Sequence, residues 1–82
     1  MLPRITAIRY VEPFSIWVQF ADGLSGEIDL QADLQGPIFL PLRDRALFAQ
    51  LRFDPDLRTV VWPNGADLAP EFLRSRLLGL PA

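Results

Sequence analysis

Residues 14–30 read Phe14-Ser-Ile-Trp-Val-Gln-Phe-Ala-Asp-Gly-Leu-Ser-Gly-Glu-Ile-Asp-Leu30. Phe14, Ile16, Val18 and Phe20 alternate with Ser15, Trp17 and Gln19, the period of a strand with one buried face. After Ala21-Asp22-Gly23 the alternation resumes, with Leu24, Gly26, Ile28 and Leu30 set against Ser25, Glu27 and Asp29. A three-residue loop with Gly last suits a type I turn followed by a G1 bulge. Closing that loop pairs Phe20 with Leu24, Val18 with Gly26, Ile16 with Ile28 and Phe14 with Leu30. All the apolar partners then share one face, which is what specifies register. Trp17 is left on the other face, opposite Glu27. It reads first as packing for a second layer supplied by a helix or the first strand. Its second reading is an aromatic anchor for a partner.

Working outward, Arg4 to Val11 is rich in Ile, Thr, Tyr and Val and ends at Glu12-Pro13, so it reads as a strand. Gln31 to Leu42 is broken by Gly36-Pro37 and Pro41, but Ile38, Phe39, Leu40 and Leu42 predict that it lies down on the core. From Leu42 the spacing of Leu47, Phe48 and Leu51 predicts a helix, with Asp44 at its start as cap or dipole complement. Arg52-Phe53 and Arg58–Trp62 read as two strands around Asp54-Pro55-Asp56. A last helix is predicted over Ala69 to Leu78, with Phe72, Leu73, Leu77 and Leu80 along one side and Pro70 in the first turn, where a missing N–H costs nothing. The expected fold is α+β, one domain over residues 1–82. A small, mostly antiparallel sheet, in the chain order β-β-β-α-β-β-α, packs against two helices.

Between the last strand and the last helix stands Val-Val-Trp-Pro-Asn-Gly-Ala-Asp-Leu-Ala-Pro-Glu-Phe, residues 60–72. Pro63-Asn64-Gly65 has the composition of a tight turn, read here as joining strand to helix. Asp67 is placed to accept hydrogen bonds from the free N–H groups of the helix, so Asp67→Ala is expected to cost on the order of 1 kcal/mol. Trp62 is expected to pack beside that helix. Asp67 and Glu71 are four apart and, with Asp29, could hold a hard divalent cation or work as an acid–base pair. Capping is the preferred reading of Asp67, with Glu71 complementing the helix dipole. The turn could also grip an anion through its N–H groups, but it lacks the Lys or Ser/Thr of a nucleotide loop.

Composition narrows the chemistry. The chain has no Cys, His or Lys. Disulfides, zinc thiolates, the usual general base and a Ser–Lys dyad are thereby removed. Ser15, Ser25 and Ser75 have no base to activate them, so no enzymatic activity and no cofactor are expected. A formal charge of −2 with no basic stripe argues against direct nucleic-acid binding. A patch of Arg4, Arg9, Arg74 and Arg76 for an acidic partner is a weaker possibility. Arg74 could also pair with Glu71. The longest uncharged runs, Pro13–Ala21 and Leu34–Leu42, are nine residues each, against about twenty for a membrane helix. With no apolar leader after Met1, a cytoplasmic protein off the membrane is expected. Half of the 82 residues are hydrophobic, and a chain this short hides only roughly 60–65% of its unfolded surface. Some apolar surface should therefore face a protein partner or a second copy.

Four stretches carry a family likeness: the strand Pro3–Val11, the hairpin with Phe20-Ala-Asp-Gly23, Phe39-Leu-Pro-Leu-Arg-Asp44 leading to Leu47-Phe48, and Val61-Trp-Pro-Asn-Gly-Ala-Asp-Leu68 with Pro70-Glu71. Together they resemble the bacterial domain of unknown function 2442, with Trp62–Asp67 and Pro70 as the most specific part. The resemblance implies a small α+β domain. Some members carry a C-terminal helix-turn-helix that these 82 residues do not include. Many are encoded beside another small protein, in a pattern like a toxin–antitoxin pair. No catalytic residue is implied. The residues singled out for interaction or as family motif are Trp17, Trp62, Pro63, Asn64, Gly65, Asp67, Pro70 and Glu71. The expected function is a non-catalytic protein-interaction module, antitoxin-like or a homodimeric accessory protein. The alternatives are a small metal- or ligand-binding protein using Asp67, Glu71 and Asp29, and a nucleic-acid-associated regulator acting through a partner.

Overall fold

A computed structural model describes residues 4–79. Pro3 and Leu80, expected in the first strand and along the last helix, lie outside the described residues. The strands β1 (Ile5–Val11), β2 (Ser15–Phe20) and β3 (Ser25–Asp29) form an antiparallel sheet in the order β1-β2-β3. The helix α1 (Arg45–Phe48) follows, then β4 (Arg52–Asp54) and β5 (Thr59–Val61) as a second antiparallel pair, and last α2 (Pro70–Leu77). The fold is α+β in the expected element order, with the strands divided between two antiparallel sheets.

The hairpin register is the one the alternation specifies. Ile16 faces Ile28, Trp17 faces Glu27 and Val18 faces Gly26, while Leu30 N–H donates to the Phe14 carbonyl and Phe20 N–H to that of Leu24. Ile5, Ile16, Val18, Phe20, Ile28 and Leu30 are buried on the inner face. They meet Leu34, Leu42, Phe48, Val60, Trp62, Ala66 and Leu73 in one core. Irregular segments therefore supply much of the core, through short 3₁₀ turns at Gln31–Asp33 and Leu40–Arg43. Of the apolar positions expected to lie on it, Leu42 and Phe39 do so, whereas Ile38 and Leu40 are exposed.

Both helices lie on the inner face. Phe48 of α1 sets its ring 5.9 Å from Tyr10 and 5.5 Å, edge-on, from Phe14. The α2 helix approaches β3 so closely that a Cβ on Gly26 would come within 2.9 Å of Leu77 Cδ2, so any larger residue there displaces the Leu77 side chain. The α1 helix is shorter than its apolar spacing predicts. The Leu40–Arg43 turn and the extended Asp44 precede it, and Asp44 Oδ1 accepts from Ala46 N–H at 3.0 Å as its N-cap. Among the described residues no helix is long and apolar enough to cross a membrane.

Candidate functional site

The segment around Trp62 is a hairpin, and this corrects its reading as a strand-to-helix turn. Gly65 N–H donates to the Trp62 carbonyl at 3.0 Å and Trp62 N–H to that of Ala66 at 2.9 Å. Asn64 Oδ1 accepts from Ala66 N–H at 3.1 Å. The chain then runs back along β5, with Val61 bridged to Asp67 in antiparallel fashion, Leu68 N–H bonded to the Val60 carbonyl and the Thr59 hydroxyl donating to the Leu68 carbonyl. Gly65 has φ +91°, the left-handed region such a turn needs at its last position.

Asp67 is therefore an exposed residue in a return strand and caps nothing. The N-cap of α2 is Ala69, at φ −67° and ψ 140°, with no side-chain hydrogen bond. The cause is Pro70, whose ring disfavours the helical region for the residue before it. The helix cannot start earlier, and Asp67 is left too far out to reach its N–H groups. Pro70 occupies the first turn as expected, and exposed Glu71 there complements the dipole. Trp62 is buried, but its aromatic partner is Phe48 of α1, at 5.5 Å between ring centroids. Its indole Nε1–H donates to the Phe48 carbonyl at 2.9 Å. The same carbonyl also accepts from Leu51 N–H at 3.3 Å, so the indole adds a second bond to it at the end of α1.

The acidic residues do not assemble. Among the described residues no three Asp or Glu side chains come together in a way that could hold a metal ion, so Asp67, Glu71 and Asp29 are not a ligand set. Asp29 Oδ1 instead accepts from Gln31 N–H at 2.9 Å. The arginines of α2 are held in ion pairs. Arg74 reaches Asp22 in the first turn, with Nη2 2.5 Å from Oδ2, and not Glu71. Arg76 binds the Asp33 carboxylate and the Asp29 carbonyl. These contacts tie α2 to both ends of β3. The Arg74 guanidinium is foremost in holding the Asp22 carboxyl below the usual aspartate range, with help from Leu24 N–H. Asp22 in turn raises the pKa of Arg74. The link was missed in sequence because the partners are 52 residues apart, and turn chemistry alone accounts for Asp22.

Trp17 stands apart from the rest of the motif. It sits at the centre of the outer face of the three-strand sheet, between Arg9 on β1 and Glu27 on β3 in register. The Arg9 guanidinium lies 4.5 Å from the centroid of its ring, a cation–π contact. The first strand, rather than a helix, thus covers Trp17, and only in part. Ala7, Val11, Ser15, Trp17 and Gln19 on this face are half-buried, and Arg9, Ser25, Glu27 and Asp29 are exposed. No residue of the face is buried, in contrast to the six on the inner side.

The fold defines a small α+β protein with one sheet face covered and one open. Residues 5–77 match the family model described as Protein of unknown function (DUF2442), and the chain belongs to that family. No curated protein and no solved structure matches it.

Proposed function

We propose that this is a non-catalytic protein-interaction module that receives a protein partner on the outer sheet face around Trp17. The observation that carries the reading is a half-buried tryptophan at the centre of a sheet face that no helix covers. Aromatic side chains ringed by polar groups are where interfaces concentrate binding energy. Arg9 and Glu27 on either side offer opposite charges for orienting a partner. Ile38, Leu40, Phe53, Leu57 and Leu78 are large apolar side chains that are also exposed. An antitoxin-like complex or a homodimer are the two forms this takes. The metal-binding alternative has lost its ligand set. A role near nucleic acid would run through the partner, since the chain itself carries −2.

Solution mass measurement and co-purification with the product of the neighbouring gene test the reading. Trp17→Ala is expected to weaken the complex by about 30-fold or more while the far-ultraviolet circular dichroism stays that of the wild type. A strictly monomeric protein that retains no neighbour, or a variant that binds as well as wild type, would refute it.

A further inference from the structure

On the inner side of the sheet, away from Trp17, Phe14, Gln31, Leu34 and Arg43 line a hollow of about 340 Å³. That is the lower end of the roughly 300–1,000 Å³ range of small-ligand sites. Its apolar lining is held in place. Phe14 stands edge-on to the buried Phe48 ring at 5.5 Å, and Leu34 is a core residue.

Arg43 is held as well. Its Nε–H donates to the Leu34 carbonyl at 2.8 Å, which fixes the plane of the guanidinium and commits only one of its five N–H donors. Two of the carboxylates near the other lining residues along the chain are already engaged. Asp33 is taken by Arg76, and Asp29 accepts from Gln31 N–H. Asp44, next to Arg43, caps α1. Among the described residues no ion pair includes Arg43, whereas Arg52, Arg74 and Arg76 each have one. The hollow thus combines a guanidinium with no ion-pair partner among the described residues, planar donors fixed by the backbone, and an aromatic wall. At its rim the exposed Gln31 adds a carboxamide that can donate a further hydrogen bond. A planar fork of N–H groups matches a carboxylate bidentately, and the Phe14 ring matches an apolar substituent beside it.

We infer that this hollow binds a monocarboxylate bearing a small apolar group, held by Arg43 and packed against Phe14. The same chemistry is presented by a free branched-chain or aryl acid and by the terminal residue of a peptide. The site is separate from the Trp17 face, so either can fail without the other.

Titration followed by ¹H–¹⁵N NMR tests the inference, with phenylacetate, 4-methylpentanoate and N-acetyl-glycyl-leucine as probes and the matching amides as controls. The expected result is saturable movement of the Gln31, Leu34 and Arg43 amide signals with the acids, and roughly tenfold weaker binding of the amides. Arg43→Gln should weaken the acids by a similar factor. Because that variant also loses the bond to Leu34, Gln31→Glu is the companion. It changes an exposed side chain whose structural hydrogen bond is made by its backbone, and it should depress acid binding while leaving the amides unchanged. Tighter binding of the peptide acid than of the free acids assigns the site to a chain terminus; equal or weaker binding assigns it to a free acid. Absence of saturable shifts, acids no better than amides, or a Gln31→Glu protein that binds acids like wild type would overturn the inference.

Discussion

The turns at Ala21–Gly23 and Pro63–Gly65 share a backbone design and differ in what their middle residue holds. In each, the glycine N–H returns to the carbonyl of the residue before the turn, at 3.0 Å from both Phe20 and Trp62. In each, the residue before the turn donates its N–H to the carbonyl of the residue after it, at 2.7 and 2.9 Å. The middle side chain accepts from the residue after the turn, through Asp22 Oδ1 or Asn64 Oδ1. The glycines have φ +95° and +91°. Beyond this skeleton the two part. Asp22, able only to accept, meets the Arg74 guanidinium. Asn64 has an amide to donate, and its Nδ2 reaches the Ile38 carbonyl at 2.9 Å. One turn is thus fastened by charge to a helix, the other by a neutral hydrogen bond to an irregular loop. The lesson is that Asp and Asn, close to interchangeable inside a turn, are set apart by what lies outside it.

The largest effect expected along this comparison is on the shared skeleton. Gly23→Ala and Gly65→Ala should each cost about 1–2 kcal/mol of stability in urea unfolding. The two losses should be nearly equal, because an added Cβ meets nothing within 4 Å at either site and only the backbone strain remains. Markedly unequal losses would break the equivalence of the turns.

Next comes the middle residue. Asn64→Asp should cost about 1–2 kcal/mol at neutral pH, since it exchanges a donor for a carboxylate facing the Ile38 carbonyl. That carboxylate would have a raised folded pKa, so the loss is relieved as the pH falls and the proton restores a donor. Asp22→Asn should behave in the opposite sense. The wild-type carboxyl titrates below its ordinary unfolded value. The stability it contributes is full above that value and is lost as the pH drops through the lower folded one. Asp54, held low foremost by Leu57 N–H and then by Asp56 N–H, acts in the same direction. Stability measured against pH should therefore fall less steeply on the acid side in Asp22→Asn than in wild type. Parallel acid limbs for wild type and both variants would show that the outside contacts do not distinguish the turns.

The smallest effects concern the ground between the second turn and α2. Ala69→Ser should raise stability by about 0.5–1 kcal/mol by supplying the missing N-cap. Asp67→Ala should change it by no more than about 0.5 kcal/mol. A loss near 1 kcal/mol at Asp67 with no gain at Ala69 would return the cap to Asp67.

Why the first turn was legible and the second was not follows from the strands beside them. Ala21–Gly23 is flanked on both sides by long alternating runs whose partners agree, so turn and register confirm each other. After Pro63–Gly65 the returning strand makes a single bridge, Val61 to Asp67, too short for any periodicity. Asp67 ahead of an apolar run then resembles a helix cap. Only the effect of Pro70 on Ala69 opposes that reading, and it is a steric point that composition does not display. The core was legible wherever spacing was regular, as at Ile16, Val18, Phe20 and Ile28. Arg9 over Trp17, Arg74 on Asp22 and the Arg43 hollow were not, because each joins residues that meet only through the tertiary fold.

The ties from α2 to Asp22 and Asp33 also set a timetable. Arg74 and Arg76 follow those carboxylates by 52 and 43 residues. At roughly 5–20 residues per second on the ribosome, the hairpin is complete several seconds before the helix that closes over it. During that interval Ile16, Val18 and Phe20 lack the part of their cover that Leu73 supplies. The edge strand β3, of the kind that recruits other strands, is then without Leu77 against Gly26. A molecule whose last helix seals its first sheet is most open to aggregation, and most in need of a chaperone, while it is still being made.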